Sequence, residues 1–174
     1  MIVPSFDDFI ASERVTAAKL NKNVRDSGNF YKGRPLAFAY MAAALSVPTG
    51  TSTWTTVNLD TEKFDNDGIF TTSTPGRLTI QTPGLYHIEG QVRYASGGTT
   101  YRAGRIQINN TTDLDTQYYP LVPSNSCQVY MKGWAQLVAG DFLVISTLHG
   151  ESTAQSLQVN KDHYTYLRAR WVNA

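Results

Sequence analysis

Hydrophobic positions follow two different rhythms along this chain. From Ser12 to Tyr31 (SERVTAAKLNKNVRDSGNFY) helix-forming residues dominate and proline is absent. Ala17, Leu20, Val24, Ser27 and Tyr31 recur at intervals of three and four, which places them on one stripe of an α-helix. Ser12 or Thr16 can cap its start, and Gly28 or Gly33 can end it. The stripe is thin and Ser27 weakens it, so it forms no core alone. Packing on a partner and folding back on the same chain both remain open.

From Pro35 onward the rhythm shortens to two. Thr, Tyr, Val and Ile runs are interrupted by Gly, Pro, Asn and Asp about every ten residues. This texture predicts strands over 36–42, 53–58, 77–81, 84–94, 101–109, 126–137, 141–147 and 165–172. In LYHIEGQVRY, Leu85, His87, Glu89, Gln91 and Arg93 share one face, and Tyr86, Ile88, Gly90, Val92 and Tyr94 share the other, inward one. In YTYLRARWV, Tyr164, Tyr166, Arg168 and Arg170 alternate with Thr165, Leu167, Ala169 and Trp171. QLVAGDFLVIS reads as two strands about an Ala-Gly-Asp corner. Its second limb is apolar on both faces and must be covered twice, by a second sheet or by a neighbouring subunit.

Two Thr-Pro-Gly triplets, at 74–76 and 82–84, stand one short strand apart. Proline presets the first position of a corner and glycine tolerates the positive φ that follows, so the echo marks two corners and not a repeat. About eight short strands without intervening helices predict an all-β, two-sheet jelly-roll sandwich, preceded by one short N-terminal α-helix. The division falls at residues 1–34, a helical anchor, and 35–174, the jelly-roll head.

Composition narrows the function. Charged residues make up 17% of the chain, the hydrophobic set 41%, and the formal net charge is +1. With no basic run, nucleic acid is not an expected partner. Cys127 is the single cysteine, so an intrachain disulfide and a multi-thiolate zinc site are excluded. The N-terminus is acidic where a secretory leader needs a basic start, and no run approaches the ~20 apolar residues that span a bilayer, so neither secretion by a leader nor a membrane is expected.

At this point the residues resemble known families. FDNDGIFTTSTPGRLTIQTPGLYHIEGQVRY resembles the central segment of the complement-head and tumour-necrosis-factor jelly rolls, carried by Phe64, Asp65, Phe70, Pro83, Gly84, Tyr86 and Gly90. GWAQLVAGDFLVIST resembles that group's leucine-turn-Gly-Asp hairpin through Leu137, Gly140, Asp141 and Val144, and TYLRARWV its closing aromatic strand. VTAAKLNKNVRDSGNF is similar to the leader of bacteriophage tail and fibre proteins, through Val15, Thr16, Ala17, Leu20, Asn21, Val24, Arg25 and Asp26. Together they imply a phage virion component made without a signal peptide. It would be a homotrimeric head displayed outward from a helix that contacts other virion proteins. No cofactor and no enzymatic activity are implied.

Candidate residues follow. Ala17, Leu20, Val24 and Tyr31 are the anchor stripe. Trp134, Leu137, Phe142, Val144 and Trp171 are candidates for core or subunit contact. Tyr118 and Tyr119 beside Asp113 and Asp115 can stack on and hydrogen-bond a sugar, which makes a host-surface glycan a candidate partner and a free-standing carbohydrate-binding module the rival reading. Asp65 and Asp67 in DNDG have the alternation that calcium loops use, but not the further ligands of an EF-hand; a plain turn is the alternative. His87, His149 and His163 stand in no ligand spacing and are expected on the surface. No Gly-x-Ser-x-Gly elbow marks a hydrolase.

Overall fold

The computed structural model describes residues 4–49, 53–120, 126–159 and 163–174. The N-terminal stripe becomes a helix in three parts: α1 (Ala17–Leu20), a π-helical turn (Asn21–Asp26) and α2 (Ser27–Lys32). Thr16 is the cap, its Oγ1 accepting from the Lys19 N–H at 3.2 Å, and Gly33 receives the C-terminal end. Ser12 lies outside the helix with φ 67°.

The wide middle turn separates the predicted stripe. Ser27 is turned inward and buried with Phe30, while Leu20, Val24 and Tyr31 remain 47%, 65% and 58% exposed. A π turn changes the angular spacing along the helix, so a stripe laid out for regular α geometry does not stay on one face. Phe30, which the periodicity left aside, is the residue that docks. Its ring meets Trp171 edge-on at 4.9 Å.

The strands are β1 (Leu36–Tyr40), β2 (Ser46–Val47), β3 (Thr55–Thr56), β4 (Thr61–Asp65), β5 (Arg77–Thr79), β6 (Gly84–Arg93), β7 (Tyr101–Ile108), β8 (Thr112–Pro120), β9 (Gln128–Leu137), β10 (Phe142–His149), β11 (Gln155–Ser156) and β12 (Tyr166–Asn173). One sheet runs β4-β1-β12-β6-β9 and the other β3-β10-β7-β8, with β5 on the same edge of β10 as β3. The described pairings are antiparallel, and the chain passes repeatedly between sheets. That is a jelly-roll sandwich.

β6 follows its predicted alternation: buried and half-buried residues alternate without exception from Gly84 to Arg93. Tyr86, Ile88 and Val92 from this strand meet Ile106, Leu143 and Ile145 of the opposite sheet in the core. Both Thr-Pro-Gly corners are as expected, with φ of 85° at Gly76 and 150° at Gly84. Gly84 has a second reason: a Cβ there would run into the Trp171 indole, whose Nε1–H donates to the Pro83 carbonyl at 3.1 Å.

Two expectations change. The stretch between the predicted strands 101–109 and 126–137, to which the pattern assigns no strand, contains β8; residues 121–125 of it lie outside the described part. Asn109 and Asn110 both take positive φ (54° and 59°), and Thr111 N–H donates to the Ile108 carbonyl at 3.1 Å, a tight turn that joins β7 to β8. The Ala-Gly-Asp corner makes no hairpin, because β9 and β10 lie in opposite sheets.

The outer face of β10 is largely covered within the chain itself. Val144 and Leu148 on that face are 5% and 3% exposed. Trp54, just before β3, reaches across to β7 and β8: the Arg105 guanidinium lies 4.4 Å above its ring, and its edge meets Tyr118 at 6.3 Å.

Candidate functional site: the outward face of the first sheet

The register of the first sheet brings three outward rows together. Phe64, Phe38, Arg168, Glu89 and Lys132 stand opposite one another across the five strands. Beside them run Leu36, Arg170, His87 and Trp134, and on the other side Tyr40, Tyr166, Gln91 and Tyr130. Residues directly opposite in antiparallel strands share a face, so these side chains form one surface.

Its character is aromatic with a charged centre. Phe38 stacks on Tyr166 at 5.0 Å and 19°, and Phe64 leans on Phe38 at 5.6 Å. His87 lies against Trp134 at 4.5 Å, and Trp134 and Phe64 are still 56% and 40% exposed. Glu89 sits between them, accepting from the Tyr130 hydroxyl and from the Arg168 guanidinium. Burial alone would raise the Glu89 carboxyl; the Tyr130 hydrogen bond and the Arg168 charge outweigh it and hold it below the usual carboxylate range. The Tyr130 phenol is pushed up to about 12 by burial and by Glu89.

A cleft of about 380 Å³ opens among Leu36, Phe64, His87, Glu89, Arg168 and Arg170. A second, of about 370 Å³, shares Leu36 and Arg170 with it and continues to Tyr31 at the end of the helix. Exposed aromatics beside a satisfied ion pair on a sheet face suit contact with another protein surface better than enclosure of a small substrate.

The subunit-contact candidates divide by strand alternation. Trp134 faces out; Leu137 (1% exposed) and Trp171 (4%) face the core; Val144 is buried on the other sheet; Phe142 is half-buried beneath Arg77 at 5.1 Å. Trp134 and Leu137, three apart on one strand, cannot share a contact. The sequence reading missed Phe38, Phe64, Glu89 and Tyr130 as partners of Trp134, because only the register joins them. The outward face of YTYLRARWV was the available signal.

The sugar candidates also divide. Asp113 and Tyr118 stand opposite Gln107 and Ala103 on the outer side of β8, with Tyr101 5.8 Å from Tyr118. Asp113 accepts from Gln107 Nε2 at 2.8 Å and from the Thr116 hydroxyl. Asp115 and Tyr119 stand opposite Ile106 and Arg102, on the other side. Asp115 is engaged there by the Lys132 N–H and the Gln117 amide. Asp65 closes a turn, its two oxygens accepting from the Asp67 and Phe70 N–H groups. Among the described residues no three His, Cys, Asp or Glu side chains gather as a metal site.

Ala17, Leu20, Val24 and Tyr31 are all exposed. His87 is half-buried on the outward face and His163 is exposed, whereas His149 is fully buried, correcting the surface expectation. Its Nε2 meets the Val47 carbonyl at 3.1 Å and its Nδ1 accepts from the Glu151 N–H. Nearby, Arg102 is fully buried against Glu151 (3.0 Å), the Gly97 carbonyl and Gln155, with its guanidinium over the Tyr94 ring. Glu151 also receives the Thr99 and Thr100 N–H groups, led by Thr100, and these donors lower its carboxyl to about 2. Nothing in the sequence pairs Arg102 with a carboxylate 49 residues away.

No protein-family model matches the chain, and no curated protein matches its sequence. Solved structures do. The globular domain of zebrafish complement 1qA protein aligns over 80% of this chain and 97% of its own, at 14% identity and a TM-score of 0.59. Murine APRIL aligns over 80% and 99%, at 15% identity and a TM-score of 0.60. The sandwich is a jelly roll of the complement-head and tumour-necrosis-factor type. At these identities the likeness is one of fold.

Proposed function

We propose that the protein is a non-enzymatic, self-associating display domain, in which three copies meet on the outward face of the first sheet. The observation that carries this reading is the pair of exposed aromatics, Phe64 and Trp134, on the outward face of one sheet with the Glu89–Arg168 pair on the same face; Phe64 rests on the buried Phe38–Tyr166 stack. Burying such a surface returns about 25 cal/mol per Å² of apolar area, and a closed symmetric ring leaves no copy of the patch in water. The jelly-roll fold supports the reading. The likeness of residues 15–26 to phage tail leaders extends it to a virion component attached through its N-terminal helix. Light scattering at micromolar concentration tests the assembly: three chain masses are expected, and one chain mass from the parent protein overturns the reading. Trp134→Glu is expected to yield folded monomer.

A second reading, saccharide binding, is favoured by Tyr118, 59% exposed beside Tyr101, Trp54 and the fixed Asp113 carboxylate on the opposite sheet. A glycan array probed with the parent and with Tyr118→Ala tests it. Absence of parent binding rejects it.

A further inference from the structure

The chain is almost balanced in charge, with 15 basic and 14 acidic residues, yet the fold sorts cations into one cleft. The cleft of about 370 Å³ at the end of the helix is lined by Lys32, Arg34 and Arg170 and by no carboxylate. Three segments supply them. Lys32 ends α2, Arg34 lies in the linker to β1, and Arg170 stands on β12 opposite Leu36.

The backbone beneath these side chains is fixed. Asn66 Oδ1 accepts from the Leu36 N–H and its Nδ2 donates to the Arg34 carbonyl, both at 2.8 Å. The Pro35 carbonyl accepts from the Trp171 N–H at 2.9 Å, which ties the same linker to β12. A ligand therefore has only side chains to order, and the entropy lost on binding is small.

The charges are not compensated within the chain. The Arg34 guanidinium lies 5.3 Å above the Tyr31 ring, and the side chains of Lys32 and Arg170 make no ion pair or hydrogen bond among the described residues. Arg168, two residues away on the same face of β12, differs in being held by Glu89. Like charges gathered in one cleft repel, and an anion between them reverses the sign of that interaction.

We infer that this cleft binds a tetrahedral oxyanion, phosphate or sulfate, free or at the end of an ester. Cations converging from three segments suit a group that carries oxygens on every side. A planar carboxylate is satisfied by less, as Glu89 is by one guanidinium and the Tyr130 hydroxyl. The adjoining cleft shares Leu36 and Arg170 and is walled by Phe64, which leaves room for the organic part of an ester. The inference goes beyond the self-association proposed above and does not rest on it, because one chain supplies all three cations.

The test titrates the full chain by calorimetry, at constant ionic strength, with inorganic phosphate, sulfate, phenyl phosphate and acetate. One site per chain is expected for the tetrahedral anions, at least about tenfold tighter than for acetate. Arg34→Gln and Arg170→Gln are each expected to weaken phosphate binding at least about tenfold while the head keeps its unfolding midpoint. Arg14→Gln removes the same charge from an exposed position ahead of the helix and should leave binding unchanged. Phenyl phosphate binding tighter than inorganic phosphate supports an ester as the ligand, and the reverse supports the free ion. Acetate binding as tightly as phosphate, an equal loss in Arg14→Gln, or unchanged affinity in Arg34→Gln and Arg170→Gln overturns the inference, as does a parent chain that binds none of the anions. Light scattering on the same samples keeps the two readings apart. One chain mass with phosphate bound overturns the assembly alone, and three chain masses without phosphate binding overturn the anion site alone.

Discussion

Between Ala17 and Lys32 two side chains, Ser27 and Phe30, are buried; along β6 every second residue is, and the two strands that flank it continue the same core. Exposure runs the other way. Of the large hydrophobic residues exposed among the described part, Phe6, Phe9, Ile10, Val15, Leu20, Val24 and Tyr31 precede residue 35, and Phe64, Tyr118, Tyr119, Trp134 and Val138 follow it. A helix lying on the rim of a sandwich can offer it only one narrow stripe, whereas a strand inside it offers alternate residues along its whole length. The head therefore carries its own stability. The N-terminal segment is tied to the head chiefly where Phe30 joins its core beside Trp171, and it has apolar surface left over.

The contrast is broken most sharply by Glu151→Ala. It strands the Arg102 guanidinium inside the head, and the expected loss is about 3–5 kcal/mol in urea unfolding. Phe30→Ala should act on the other region alone. Removing its burial against Trp171 releases about 1.5–3 kcal/mol of docking, seen as roughly 10- to 100-fold faster tryptic cleavage at Lys19, Lys22 or Arg25 with an unchanged midpoint for the head. Thr16→Ala is smaller, about 1 kcal/mol of helix stability, measured as lost helical circular dichroism. Leu20→Gln closes the series: on an isolated copy it should shift stability by no more than about 0.5 kcal/mol, because the side chain is half in water already.

Acid sharpens the same comparison. The Glu151 carboxyl is lowered to about 2, so its contribution is complete above the ordinary carboxylate range and is lost as pH falls toward 2. Head stability should hold level from pH 7 to about 4.5 and decline below it. In Glu151→Gln that decline should be shallower, and an equal slope in both proteins would remove Glu151 as its cause.

Much of the head was legible before any coordinates. The alternation in 84–94 and 165–172, the two Thr-Pro-Gly corners and the absence of helices between strands carry a sandwich because side-chain period and corner chemistry are local properties. β8 was missed because Asn109-Asn110 is a less familiar turn signal than Asn-Gly, although both asparagines tolerate positive φ. The helix was legible, but its buried face was not. Which of its residues is buried depends on a distant partner, because Phe30 meets Trp171, 141 residues away in sequence.

The candidate site divides along the same line. That Tyr166, Arg168 and Arg170 share a face follows from period 2 alone, as does the pairing of His87 with Glu89 on one side of β6. That Phe38 stacks on Tyr166, that Arg168 reaches Glu89 and that Trp134 covers His87 depend on which strands are neighbours and in what register. Local chemistry sets how each strand presents its residues, and strand order is chosen by the burial of the whole core. A surface assembled from five strands therefore exists only once the sandwich has closed.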